Sequence, residues 1–145
     1  MRTRILPRAA ALAALVAAPA LAENCSTLAA SVSVTEEATS ASIDVTGTLP
    51  GAPTFLIAGP TAGEFALDLG ALGGVTLGVA PPFAVLPLGV ADGDGNVSLA
   101  FEGPGVPAEV PTSTLHLQAL SFGFDIGPGG LALEFCESNV VAVEL

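Results

Sequence analysis

Glycine and proline punctuate this chain every few residues, with 17 Gly and 12 Pro in 145 positions. Glycine loses the most backbone freedom in a helix and proline lacks the amide donor, so long helices do not survive such spacing. What lies between the breaks alternates. Val32 and Val34 interleave with Ser31 and Ser33. Ala41, Ile43 and Val45 interleave with Ser42 and Asp44. Val97, Leu99 and Phe101 interleave with Ser98, Ala100 and Glu102. A period of two marks a strand with one buried face. About eight or nine such short strands predict an all-β fold, a single antiparallel β-sandwich.

In chain order, Ser31–Thr35 and Ser40–Thr46 predict an opening hairpin around Glu36-Glu37-Ala38. Strands are expected at Thr54–Ala58, Glu64–Leu69 and Val75–Val79, the last stopped by Pro81-Pro82. Phe83–Ala91 and Asn96–Glu102 read as two strands joined by the turn Asp92-Gly93-Asp94-Gly95-Asn96. Ser113–Asp125 is the longest expected strand. Its Leu115 and Leu117 face one way, with His116 and Gln118 outward. Phe122 and Phe124 share the parity of His116, so a bulge near Ala119 is expected to re-phase the strand. Two closing rows, Leu131, Leu133, Phe135 and then Val141, Val143, Leu145, are joined by Glu137-Ser138-Asn139. The seven Phe residues mostly fall on inward parity and read as core.

Residues 1–22 read as a signal peptide. Arg2, Arg4 and Arg8 give a positive start, Ala9–Ala18 is an apolar run too short to span a bilayer, and Ala20-Leu21-Ala22 supplies a small-x-small cleavage site. The mature domain is then 23–145, destined for the medium or the periplasm. No later run is long and apolar enough for a membrane helix. All three basic residues leave with the signal. The 14 acidic residues stay, beside one His. A chain without Lys or Arg has nothing to neutralise phosphates, which excludes nucleic acid and anionic membrane surfaces as partners. Its carboxylates must be solvated, hydrogen-bonded or met by outside cations.

Cys25 and Cys136 are the only cysteines. In an oxidising compartment they are expected to pair, bringing the two ends of the domain together, although two buried thiols are the rival reading. No CxxC or zinc spacing exists. Asp92, Asp94 and Asn96 set three oxygen side chains at alternate positions, as at the start of a calcium loop. The match stops there, since Val97 replaces the loop glycine and Gly103 stands where a bidentate Glu is needed. The other reading is a turn in which Asp and Asn bond their own backbone. Calcium is the one cofactor suggested, and none is required.

Catalytic patterns are thin. His116 is the sole histidine, no Ser lies in a Gly-x-Ser-x-Gly elbow, and both cysteines are committed to pairing. A carboxylate pair for glycoside hydrolysis stays open. The chain has no Trp or Tyr to stack a sugar.

Several short pieces, in order, resemble an uncharacterised family of small secreted bacterial modules that occur alone or at the C-terminus of larger extracellular proteins. They are Gly51-Ala52-Pro53, Pro87-Leu88-Gly89, Gly95-Asn96-Val97-Ser98-Leu99, the proline-rich stretch from Pro104 to Pro111, Leu115-His116-Leu117-Gln118-Ala119-Leu120, and Ser138-Asn139. His116 stands where such modules often carry Tyr. The resemblance implies a β-sandwich and export, and no activity. The expectation is a secreted acidic β-sandwich with a structural or interaction role and a protein or surface partner. A calcium-dependent binding module at Asp92–Asn96 and a small carboxylate hydrolase are the alternatives.

Overall fold

The computed structural model describes residues 24–145, so the expected signal segment and its cut before Glu23 lie outside the described residues. Nine strands follow one another: β1 (Thr27–Val34), β2 (Ala38–Thr46), β3 (Pro53–Gly59), β4 (Thr61–Asp68), β5 (Gly74–Ala80), β6 (Ala84–Val90), β7 (Val97–Pro104), β8 (Thr114–Gly127) and β9 (Gly130–Glu144). A single 3-10 turn, Gly70–Leu72, links β4 to β5. The strands form three antiparallel sheets, ordered β1-β2-β7, β6-β3-β8-β9 and β4-β5. This is the all-β sandwich that the alternation predicts.

The central four-stranded sheet is covered on both faces. On one, Leu56, Leu117, Ala119, Val141 and Val143 meet Leu28, Ala30, Ile43, Val45 and Val97 of the β1-β2-β7 sheet. On the other, Ile57 and Leu120 meet Val75, Leu77 and Val79 of β5. Neighbours such as Leu56 and Ile57 therefore serve different layers. That is why the central strands are apolar at both parities.

This second layer corrects the expectation for β8. The strand keeps its phase, pairing with β3 from His116 opposite Gly59 to Ser121 opposite Thr54. The bulge does sit at Ala119, but its extra residue is on β9: Gln118 faces Val140 and Leu120 faces Glu137, leaving Ser138 and Asn139 together across from Ala119. Phe122 shares the side of Leu120 because an apolar layer awaits it there. The strand that is re-phased is β9. Leu133 and Phe135 border the β4–β5 side, whereas Val141 and Val143, of the same odd parity, join the opposite core. Gln118 is likewise not an outward residue. It is 3% exposed. Its Oε1 accepts from the Gly78 amide of β5 at 2.8 Å, and its Nε2 donates to the Ser138 carbonyl at 2.9 Å. A methyl group on Gly78 would stand 2.6 Å from Val140 Cγ2, so glycine allows this close approach of β5 to β9.

The two strands expected on either side of the Asp92–Asn96 turn do not pair with each other. β6 pairs with β3, whereas β7 pairs with β2 in the other sheet. The Asp92–Asn96 turn carries the chain between sheets. Beside it, residues 47–52 make the opposite crossing from β2 to β3. The two crossings bond to each other through Thr48 N–H to the Gly95 carbonyl, Gly51 N–H to the Ala91 carbonyl and Ala91 N–H to the Ala52 carbonyl, at 2.9–3.0 Å. Gly95 has φ +78°, and a side chain there would overlap the Thr48 carbonyl. Local alternation cannot tell these arrangements apart, because both consist of strand, turn and strand.

The β1 and β9 edges are stitched together. Cys25 and Cys136 form a disulfide with Cα atoms 5.1 Å apart. The Cys25 and Ser26 amides donate to the Glu137 carbonyl. Leu28 N–H donates to Asn139 Oδ1 at 2.8 Å, and Asn139 Nδ2 returns a bond to the Leu28 carbonyl at 3.2 Å. The bulge thus turns a side-chain amide sideways to complete the backbone bonding of a strand in another sheet.

Candidate functional site

In the acidic turn the Asp92 carboxylate is engaged by backbone amides, whereas Asp94 and Asn96 take part through their backbone groups. Asp92 Oδ1 accepts from the Asp94 and Asn96 amides, both at 2.9 Å. Asp92 N–H reaches the Asn96 carbonyl and Gly95 N–H the Asp92 carbonyl. This is the Asx-type turn that a short carboxylate stabilises. Among the described residues, no group of three or more His, Cys, Asp or Glu side chains gathers to hold a metal ion. His116 is half-buried between Gly59 and Ala142.

Three surface depressions bear on the remaining readings. The outer face of β1-β2-β7 forms a trough of about 610 Å³, lined by Ser31, Ser33, Ser40, Ser42 and one carboxylate, Glu102. The gap between the two larger sheets opens beside Leu86, Leu99 and Phe101, with a volume of about 280 Å³ and no carboxylate in its lining. Neither presents the facing pair of acids that glycoside hydrolysis uses.

The third depression follows from strand numbers. Strands lie about 4.8 Å apart, so the β4–β5 hairpin covers about 10 Å of a sheet roughly 19 Å wide. The uncovered part keeps the apolar residues that a complete layer would bury. A groove of about 480 Å³ results, lined by Phe55, Phe65, Leu67, Phe83, Phe122 and Leu133 among twelve apolar residues, with no polar side chain. Val85 of the edge strand β6 borders it as well.

The phenylalanines expected in the core are here instead. None of the seven is fully buried. Five line this groove, Phe101 borders the gap between the larger sheets, and Phe124 stands beyond the groove on the β8–β9 hairpin. Phe55 stacks on Phe122 with centroids 5.8 Å apart, and Phe65 meets Phe83 edge-on at 5.6 Å. Phe122 in turn meets Phe124 at 6.4 Å.

The groove continues onto the hairpin tip. Cross-strand pairs Phe122–Phe135, Phe124–Leu133 and Ile126–Leu131 put one apolar row on the groove side. Phe124 is 67% exposed, Ile126 81% and Leu131 50%. Gly123, Asp125, Ala132 and Glu134 alternate with them on the reverse side. Midway along β9, opposite Leu120, half-buried Glu137 has its carboxyl pushed above the ordinary value of 4.5, by burial first, with a bond to its own backbone amide pulling the other way.

No helix among the described residues is long and apolar enough to cross a membrane. No family model matches this chain, and no curated protein or solved structure is similar enough to count as a relative.

Proposed function

We propose that this protein is exported and serves as an interaction module outside the cytoplasm, with the Phe-lined groove and the adjoining hairpin tip as its working surface. The observation that carries the reading is the groove itself. An all-apolar channel opens on the surface and runs onto a row of exposed side chains. Contiguous apolar patches of this kind mark contact sites. Export is supported by the Arg-led N-terminal segment and by the Cys25–Cys136 bond, which suits an oxidising compartment. The resemblance to small secreted bacterial modules points the same way. With Asp92 engaged by its own turn and no third acidic side chain gathered there among the described residues, the turn lends no support to a calcium-dependent module, and the depressions lend none to a carboxylate hydrolase.

The test is titration of the oxidised chain from Glu23 with a neutral apolar dye such as Nile red. Saturable fluorescence enhancement is expected, reduced in the double variant Leu67→Ser, Phe122→Ser. A folded protein that leaves the dye dark, or that responds equally with and without those side chains, would sink the reading.

A further inference from the structure

We propose that the partner held at this surface is a polypeptide segment carrying Lys or Arg beside its apolar side chains. The proposal rests on the interaction reading above and adds the chemistry of the partner. Two observations converge on it. The floor of the site is apolar throughout, so a hydrophilic cation alone gains nothing from it. The strands that bear it carry carboxylates on their opposite faces, with no counter-charge. Glu64 and Asp68 alternate with Phe65 and Leu67 along β4, and Asp125 and Glu134 occupy the reverse of the hairpin whose groove side bears Phe124, Ile126 and Leu131. The described residues contain no Lys or Arg, so none of these carboxylates has a basic side chain to meet within the chain. Complementary potential across an interface steers encounter and rejects wrong partners. A second copy would bring a chain of the same uncompensated negative charge against the first. An anionic membrane surface would be repelled for the same reason. A basic, apolar peptide matches both the apolar floor and the uncompensated negative charge of the chain that carries it.

The experiment uses the oxidised chain from Glu23 and four short synthetic peptides of alternating residues: leucine with lysine, leucine with glutamate, leucine with serine, and serine with lysine. Fluorescence anisotropy reads binding at physiological ionic strength and above it. The leucine–lysine peptide is expected to bind roughly tenfold or more tighter than the other three, and to weaken as salt is added. Phe124→Ser, Ile126→Ser should weaken it, and so should Asp125→Asn, Glu134→Gln, in chains with unchanged unfolding midpoints. Equal binding of the leucine–serine peptide, with dye binding intact, would remove the cationic partner and leave the interaction reading standing. Equal binding of the serine–lysine peptide would overturn the proposal, because charge alone would explain it. Self-association abolished by Ile126→Ser, or flotation with phosphatidylcholine vesicles, would assign the surface to a second copy or a bilayer instead. Loss of both peptide and dye binding would overturn the two readings together.

Discussion

The β1-β2-β7 side of the central sheet is fastened at its edge, and the β4–β5 side is not. On the first, three strands meet four, and the β1–β9 seam is held by a disulfide, two bonds from the Asn139 amide and two backbone bonds to Glu137. A further hydroxyl pair, Thr48 with Ser121, lies inside. On the second, two strands cover four, and the contact depends on the β5 row of Val75, Leu77 and Val79 with one buried amide, Gln118. Stability concentrates where both strand number and edge bonding are complete. Accessible apolar surface concentrates where they are not. The same strands supply both, because one residue of each neighbouring pair faces each layer.

Breaking the fastened side should cost most. Cys25→Ser with Cys136→Ser opens a crosslink between residues separated by 111 positions and should lower stability by about 4–5 kcal/mol on the chain-entropy account. Urea unfolding of oxidised and variant chains measures it, and a loss below about 1 kcal/mol would show that the seam holds without its covalent bond. Next is packing. Leu117→Ala truncates a core side chain only 3% exposed and should cost about 2–5 kcal/mol. Asn139→Ala strands the Leu28 amide and carbonyl inside the seam, at about 2–3 kcal/mol, and should speed hydrogen exchange at Leu28 before the rest of β1.

The pH dependence is a smaller effect with a definite sign. In the fold Glu137 holds its proton more tightly than in the unfolded chain, because burial disfavours the carboxylate. Its contribution is fully present below the ordinary value of 4.5 and is lost as pH rises through the raised value in the fold. Glu137→Gln should therefore raise the thermal midpoint at neutral pH and flatten its slope against pH. A lower midpoint at neutral pH would mean that the carboxylate is favoured in the fold after all. The smallest effect belongs to the open side. Leu67→Ser, at a residue 37% exposed beside the groove, should change stability by no more than about 0.5 kcal/mol while weakening dye binding. A cost comparable to Leu117→Ala would erase the distinction between the two faces.

The strands themselves were legible because alternation and glycine or proline breaks are local. So was the cysteine pair, from its count and the signal segment. Pairing was not. Nothing local says that Val90 and Val97 belong to different sheets, since that choice is made by bonds from the turn to Thr48, Gly51 and Ala52. The position of the bulge was visible as a parity conflict around Ala119. Which strand absorbs it depended on Ser138 and Asn139 having partners in β1 and β8. The site was hidden by a sound rule wrongly extended. Inward parity places a Phe on the covered side of a strand, but does not say that the cover is wide enough. That is decided by the two strands of β4–β5 against the four of the sheet beneath.

The covalent bond between Cys25 and Cys136 has a mechanical consequence. If the domain is pulled by its two ends, tension entering near Asn24 passes through the sulfur atoms to Cys136 and leaves along the last turns of pleat toward Leu145. The span between the two cysteines carries no load. Extension is then limited to peeling the end of β9, and the groove, which lies within the bypassed span, keeps its shape under a force that would unravel a linear strand sandwich.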